Sequence, residues 1–143
     1  MIKVAYMLIN YEDLIGIPFI NHGRDMRTGF DCYGLVIEIY RRMGIHIPEF
    51  NADWDDCQKI NGIIQQQAVS PNWKKCVPPY PVPCLVAIRM GTAPGIVNHT
   101  GVYIGKNKFI HIRAKIGVCV NRIDSPAWRG VIEGFYEYVG DKK

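Results

Sequence analysis

The chain has 143 residues, 48% hydrophobic and 21% charged, which excludes a disordered chain and supplies apolar material for a packed core. A formal net charge of +4 tolerates a polyanionic partner such as cell wall or nucleic acid, but no block of like charge demands one, and a solvated surface rather than a nucleic-acid patch is expected. Five cysteines, an odd count without a C-x-x-C pair, argue against a disulfide framework or a zinc knuckle and for mostly free thiols.

The length predicts one domain over residues 1–143. The opening stretch "MIKVAYMLINYEDLIG" lacks a cleavage site and the length of a membrane span, so neither signal peptide nor membrane insertion is expected. "YEDLIGIPFI" reads as a short helix end and a turn, and "NHGRDMRTGF" as a polar loop. From Cys32 the apolar Leu35, Val36, Ile39, Tyr40 and Met43 recur at helical spacing. Asp31 is its N-cap, Arg41 and Arg42 suit its C-terminal end, and Gly44 is a ready C′ residue. Residues 51–70 predict a second, weaker helix interrupted by Gly62. "VPPYPVP" is rigid and extended and leads into a strand, "CLVAIRM".

The period then changes. "NHTGVYIGKNKFIHIR" alternates apolar and polar residues around Lys106-Asn107 and reads as a hairpin. "GVCVNRI" is another strand, "SPAW" a one-turn break, and "VIEGFYEYV" a last strand. Helices precede strands, so the class is α+β: an antiparallel sheet with the Cys32 helix on one face.

A helix start offers unpaired N–H groups and the positive end of the dipole, which lower a thiol's pKa and favour the thiolate. A lone cysteine there is more often structural, but two histidines shift the balance. His99 opens one hairpin strand and His111 lies on its partner, while Val102, Ile104, Ile110 and Ile112 are apolar. The histidines therefore fall on the polar side of the hairpin, as a base and its orienter. A two-residue loop at Lys106-Asn107 would put them on opposite faces. An odd loop, with His111 opposite Tyr103, restores them to the face of the Cys32 helix start, and the odd loop is expected.

These segments resemble the NlpC-type cysteine peptidases. "GFDCYGLVIEIYRRMGIHIP" is similar to their nucleophile segment and "NHTGVYIGKNKFIHIR" to their histidine hairpin. "LIGIPFINHGR" and "VIEGFYEY" look like the family's upstream loop and closing strand. The resemblance implies a papain-like α+β fold with Cys32 as nucleophile, His99 as general base and His111 as its orienter. It implies hydrolysis of D-γ-glutamyl–diamino acid bonds in peptidoglycan stem peptides, with the Cys32 N–H at the oxyanion and no metal or cofactor. Tyr33, beside the substrate, stands where most cell-wall members have Ser and looks like phage-tail and prophage versions. Cys84 replaces the usual Asp, and Phe19 lacks a hydroxyl that the family's Tyr carries. His22 and Arg24 fall at the expected site entrance beside Asp31, with Arg24 expected to assist an anionic substrate group. A phage-tail peptidase is the leading expectation, made in the cytoplasm, virion-associated with other tail proteins, and acting in the cell wall. The alternatives are an exported interbacterial wall hydrolase and a structural tail component that keeps the fold without the activity.

Overall fold

The computed structural model describes residues 9–140; residues 1–8 of the stretch read as free of leader and anchor lie outside them. Helix α1 (Cys32–Arg42) begins where the Asp31 carboxylate accepts from the Gly34 N–H, and it buries Leu35, Val36, Ile39 and Tyr40. After the helix, Gly44 takes φ 78°, the left-handed conformation of a C′ glycine. Arg42 bonds Glu38 one turn back and Asp13 of a one-turn 3₁₀ helix (Glu12–Leu14), tying the N-terminal turn to α1.

Helix α2 (Cys57–Ala68) is capped by Asp56, which accepts from the Lys59 N–H. It starts later than residue 51 and is not interrupted at Gly62. That glycine sits on an exposed face with no neighbour within 4 Å, so it weakens the helix without breaking it, while Ile60 and Ile64 are buried beside it.

A small ribbon of β1 (Arg24–Asp25) and β2 (Gly29–Phe30) precedes α1. The main sheet is antiparallel, with six strands: β3 (Trp73–Lys75), β4 (Cys84–Ile88), β5 (His99–Gly105), β6 (Lys108–Arg113), β7 (Gly117–Arg122) and β8 (Ile132–Tyr138). The spatial order is β3-β8-β4-β5-β6-β7, which sets the closing strand β8 beside β4 rather than at an edge. The α+β class holds. Helix α1 packs on β5 and β6. Among the described residues, no helix is long and apolar enough to cross a membrane.

Both faces of the sheet are covered. Leu85, Ala87, Val102, Ile110 and Ile112 join the core beneath α1. Cys84, Val86, Ile88, Tyr103 and Phe109 form a second cluster with Val82, Trp128 and Phe135. Because side chains alternate along a strand, one residue of register decides which cluster a histidine joins.

That register comes from a bulge. Gly105 pairs with Lys108 across a two-residue Lys106-Asn107 turn, with both turn residues at positive φ. Tyr103 then pairs with Phe109, leaving Ile104 as the extra residue. The expected odd loop is therefore replaced by a two-residue loop plus a bulge at Ile104. Continuing from the Val102–Ile110 pair, His111 faces Gly101 rather than Tyr103.

Candidate active site

Cys32 is the first residue of α1, half-buried at the wall of a cavity of about 360 Å³. His99 and Thr100, the first residues of β5, line the same cavity, as do Phe50, Trp54, Ile60 and Met90. Thr100 has a lowering influence on the pKa of the thiol, although its buried hydroxyl makes no hydrogen bond among the described residues. The N-terminal end of α1 thus meets the beginning of β5.

The motif around the cysteine has a steric origin. A Cβ at Gly34 would run into the Gly23 carbonyl, so glycine lets the preceding loop lie against the first turn of the helix. The Asp31 carboxylate holds that turn from inside, accepting from Gly34 N–H at 2.7 Å and from Arg24 Nη1 at 2.6 Å. The Cys32 N–H, first in the helix, meets no acceptor among the described residues and is available to an incoming oxyanion.

The histidines lie together, though not on the expected face. His99 Nε2 is 2.8 Å from His111 Nδ1. His111 is fully buried, with its ring against Phe109 at 4.5 Å and edge-to-face with Trp128 at 4.7 Å. The pair therefore shares the Tyr103–Phe109 face, opposite α1, and this side of the hairpin is covered rather than polar. His99 reaches the cavity because it is the strand's first residue. With its Nε2 taken by His111, Nδ1 is the nitrogen left to take a proton from the thiol.

Sequence reasoning missed what stands behind His111. Asn121 on β7 places Oδ1 2.8 Å from His111 Nε2, and Cys119 lies directly across from His111. The signal was the alternation itself: Cys119 and Asn121 are two apart on the strand that follows His111. Thr100 was missed as well, since a threonine in a strand carries no mark of function.

The electrostatics correct one expectation. Burial, then the Asp31 carboxylate, pushes the Cys32 thiol up, with Thr100 and the Tyr33 main chain acting the other way. Burial also drives His99 well below its ordinary value, helped by His111 and Arg113. His111 is lowered to about 4 by burial, against the favourable bond to Asn121. Both shifts favour the neutral thiol and the neutral imidazole over a preformed thiolate–imidazolium pair.

Three further site expectations change. Arg24 lines the cavity, but its guanidinium is committed to Asp31, Glu49 at 3.0 Å, and the carbonyls of Gly23 and Phe50. It braces the loop and the helix cap, which explains why it does not stand free for a substrate anion. His22 does not line the cavity. Its ring bonds Asn51 at 2.5 Å and Asp53 at 2.7 Å, and the Asp53 bond raises its pKa. Tyr33 turns its ring onto Phe50, with centroids 4.1 Å apart, and donates its hydroxyl to the Pro48 carbonyl. Its main chain stays at the thiol, while its hydroxyl is spent on the loop. Phe19 lies at the cavity beside Trp54, edge-to-face at 6.2 Å.

Residues 16–70 match the NlpC/P60 family model. The Gamma-DL-glutamyl hydrolase of Bacillus subtilis (strain 168) is 27% identical over 128 residues, which is 89% of this chain and 27% of that protein. Murein DD-endopeptidase MepS/Murein LD-carboxypeptidase of Escherichia coli (strain K12) is 26% identical over 120 residues, 83% of this chain and 54% of that protein. The chain thus spans between about a quarter and a half of the curated relatives' length. An NlpC/P60 family protein of Bacillus cereus ATCC 10987 superposes with a TM-score of 0.64 at 24% identity, over 87% of this chain and 36% of that one. An NLP/P60 family protein of Staphylococcus aureus gives 0.63 at 22% identity, over 90% and 39%. These two likenesses establish the fold.

Proposed function

Proceeding from a chain that belongs to the NlpC/P60 family, we propose that it is a cysteine peptidase cleaving the stem peptides of bacterial peptidoglycan at D-γ-glutamyl bonds. One observation carries the reading: Cys32 and His99 share one cavity, and His99 is held through Nε2 by His111 at 2.8 Å. The choice of bond draws on the name of the B. subtilis relative, a γ-DL-glutamyl hydrolase, and the choice of polymer on the murein endopeptidase of E. coli.

The chemistry follows from the neutral resting pair. A substrate carbonyl enters beside the thiol, His99 Nδ1 takes the proton, and the sulfur attacks as the thiolate forms. The oxyanion accepts from the Cys32 N–H at the helix start, a contact of a kind that contributes on the order of 10²–10³ in rate. The imidazolium of His99, steadied by His111, returns its proton to the leaving amine. Water then hydrolyses the thioester through the same residues in reverse, with His99 as base.

Delivery by a phage tail, with tail proteins as partners, is part of the proposal and rests on Tyr33 within "GFDCYG" alone. An exported interbacterial hydrolase would use the same chemistry. The inactive tail component is the weaker alternative, because Cys32, His99 and His111 are intact and the two histidines are joined.

The test is incubation with purified muropeptides and mass spectrometry of the products. Free amine at the diamino acid, absent with Cys32→Ala, is the expected result. Intact muropeptides under conditions in which a thiol-directed acylating probe labels Cys32 would overturn the substrate while keeping the nucleophile.

A further inference from the structure

We propose that Asn121, with Cys119 beside it, is a positioning residue that sets the tautomers of both histidines and so leaves His99 Nδ1 free to act as base. The inference builds on the cysteine-peptidase reading and extends it beyond the three residues that the reading assigns.

The argument runs along a chain of donors and acceptors. Asn121 Oδ1 lies 2.8 Å from His111 Nε2. Cys119 Sγ lies 3.7 Å from that same oxygen and 3.7 Å from His111 Nε2. The thiol has one hydrogen to give, and the amide oxygen can receive it together with the imidazole N–H. An oxygen only accepts, so His111 carries its proton on Nε2 and presents a bare Nδ1. That nitrogen can only accept from His99, 2.8 Å away, so His99 carries its proton on Nε2. Its Nδ1 is then unprotonated at the cavity. Turning the amide over reverses every step: His111 would donate at Nδ1, and His99 would hold its proton on the nitrogen that must receive one from Cys32.

The strand pairing makes this arrangement rigid. Cys119 lies opposite His111, and Asn121 lies opposite Phe109, so both side chains rise beside the His111 ring. Phe109 and Trp128 fill the remaining space with apolar surface. Burial keeps His111 neutral, so a choice of tautomer exists and has to be made by a neighbour.

The experiment reads the tautomers directly, by long-range ¹H–¹⁵N correlation of the imidazoles in the full chain at pH 8 without substrate. Wild type should show both histidines protonated on Nε2. Asn121→Leu should mix the His111 tautomers and lower kcat on muropeptides at least tenfold with KM nearly unchanged. Asn121→Asp, whose carboxylate only accepts, should keep the wild-type tautomers at pH 8 and move the His111 titration upward. A wild-type His111 protonated on Nδ1, or an Asn121→Leu variant with unaltered tautomers, overturns the proposal. If the leucine variant fails to fold by circular dichroism, the wild-type and aspartate spectra decide. Because no turnover is needed, a failure of the peptidase reading would show separately, as correct tautomers in a protein that cleaves no muropeptide.

Discussion

Gly101 stands across from His111 on the neighbouring strand, and a Cβ there would come within 3.1 Å of the His111 Cβ and 2.8 Å of the Ile110 carbonyl. The bare backbone at 101 is the space in which the histidine pair is built. Gly101→Ala is expected to cost about 1–3 kcal/mol, since a filled core resists an added methyl. Small displacements of a catalytic group are costly, so kcat should fall on the order of ten- to a hundredfold. Gly62→Ala is the contrast: nothing lies within 4 Å of its Cβ, and the helix should gain about 1 kcal/mol with kcat unchanged. Urea denaturation and turnover of the two variants check both halves.

Cys32 in the free protein is expected to react with iodoacetamide slowly at neutral pH. Its labelling rate should climb with a midpoint above the ~8.5 of an ordinary cysteine, since burial and Asp31 hold the proton on. Mass spectrometry of timed samples measures this. Complete labelling of Cys32 within seconds at pH 6 would restore the preformed thiolate.

Arg24 is expected to matter for the loop rather than for an anion. Arg24→Lys cannot reproduce bonds to two carboxylates and two carbonyls, and should lose about 1–3 kcal/mol in chemical denaturation. KM for muropeptides with and without a free carboxylate should shift by the same factor. A selective rise for the anionic substrate would return Arg24 to the binding site.

Folding stability should depend on acid through the histidines. His111 titrates at about 4 in the folded chain against an ordinary 6.5, and burial lowers His99 as well. Between those values the unfolded chain binds more protons, so stability rises with pH across about 4 to 6.5 and is lost as the pH falls through that window. Urea midpoints from pH 4 to 8 should show this slope, and His111→Gln should flatten it.

Removing the bulge should leave the histidines where they are. Deleting Ile104 makes Tyr103–Phe109 follow directly on Gly105–Lys108, and every pair beyond keeps its partner. The variant should retain activity at reduced stability, since Ile104 also packs on the core beneath α1. Deleting Asn107 instead breaks the two-residue turn and should abolish turnover.

The bulge also marks where the sequence stops being legible. Val102 and Ile104 alternate as a regular strand would, so an extra apolar residue leaves no break in the pattern, and the offset was assigned to the loop. Helix α1 was readable because cap, apolar stripe and terminal glycine agree with one another. The pairing of His99 with His111 was readable from their place on two facing strands. Strand β3 was not, being three residues of which two are lysines whose side chains face solvent. Arg24 and His22 could be placed on a loop, but their partners at 49–53 come from a distant stretch that no local pattern connects to them. The direction of the thiol's shift was out of reach for a related reason: the helix start argues for a thiolate, and only the packed site reveals how much water it has lost.

The Asp31 carboxylate therefore has two opposed effects. It starts the helix that carries Cys32, and its charge adds to burial, the larger cause, in raising the pKa of that thiol. Oxidants and alkylating agents consume thiolates, so a sulfur whose proton is held more tightly is less open to both.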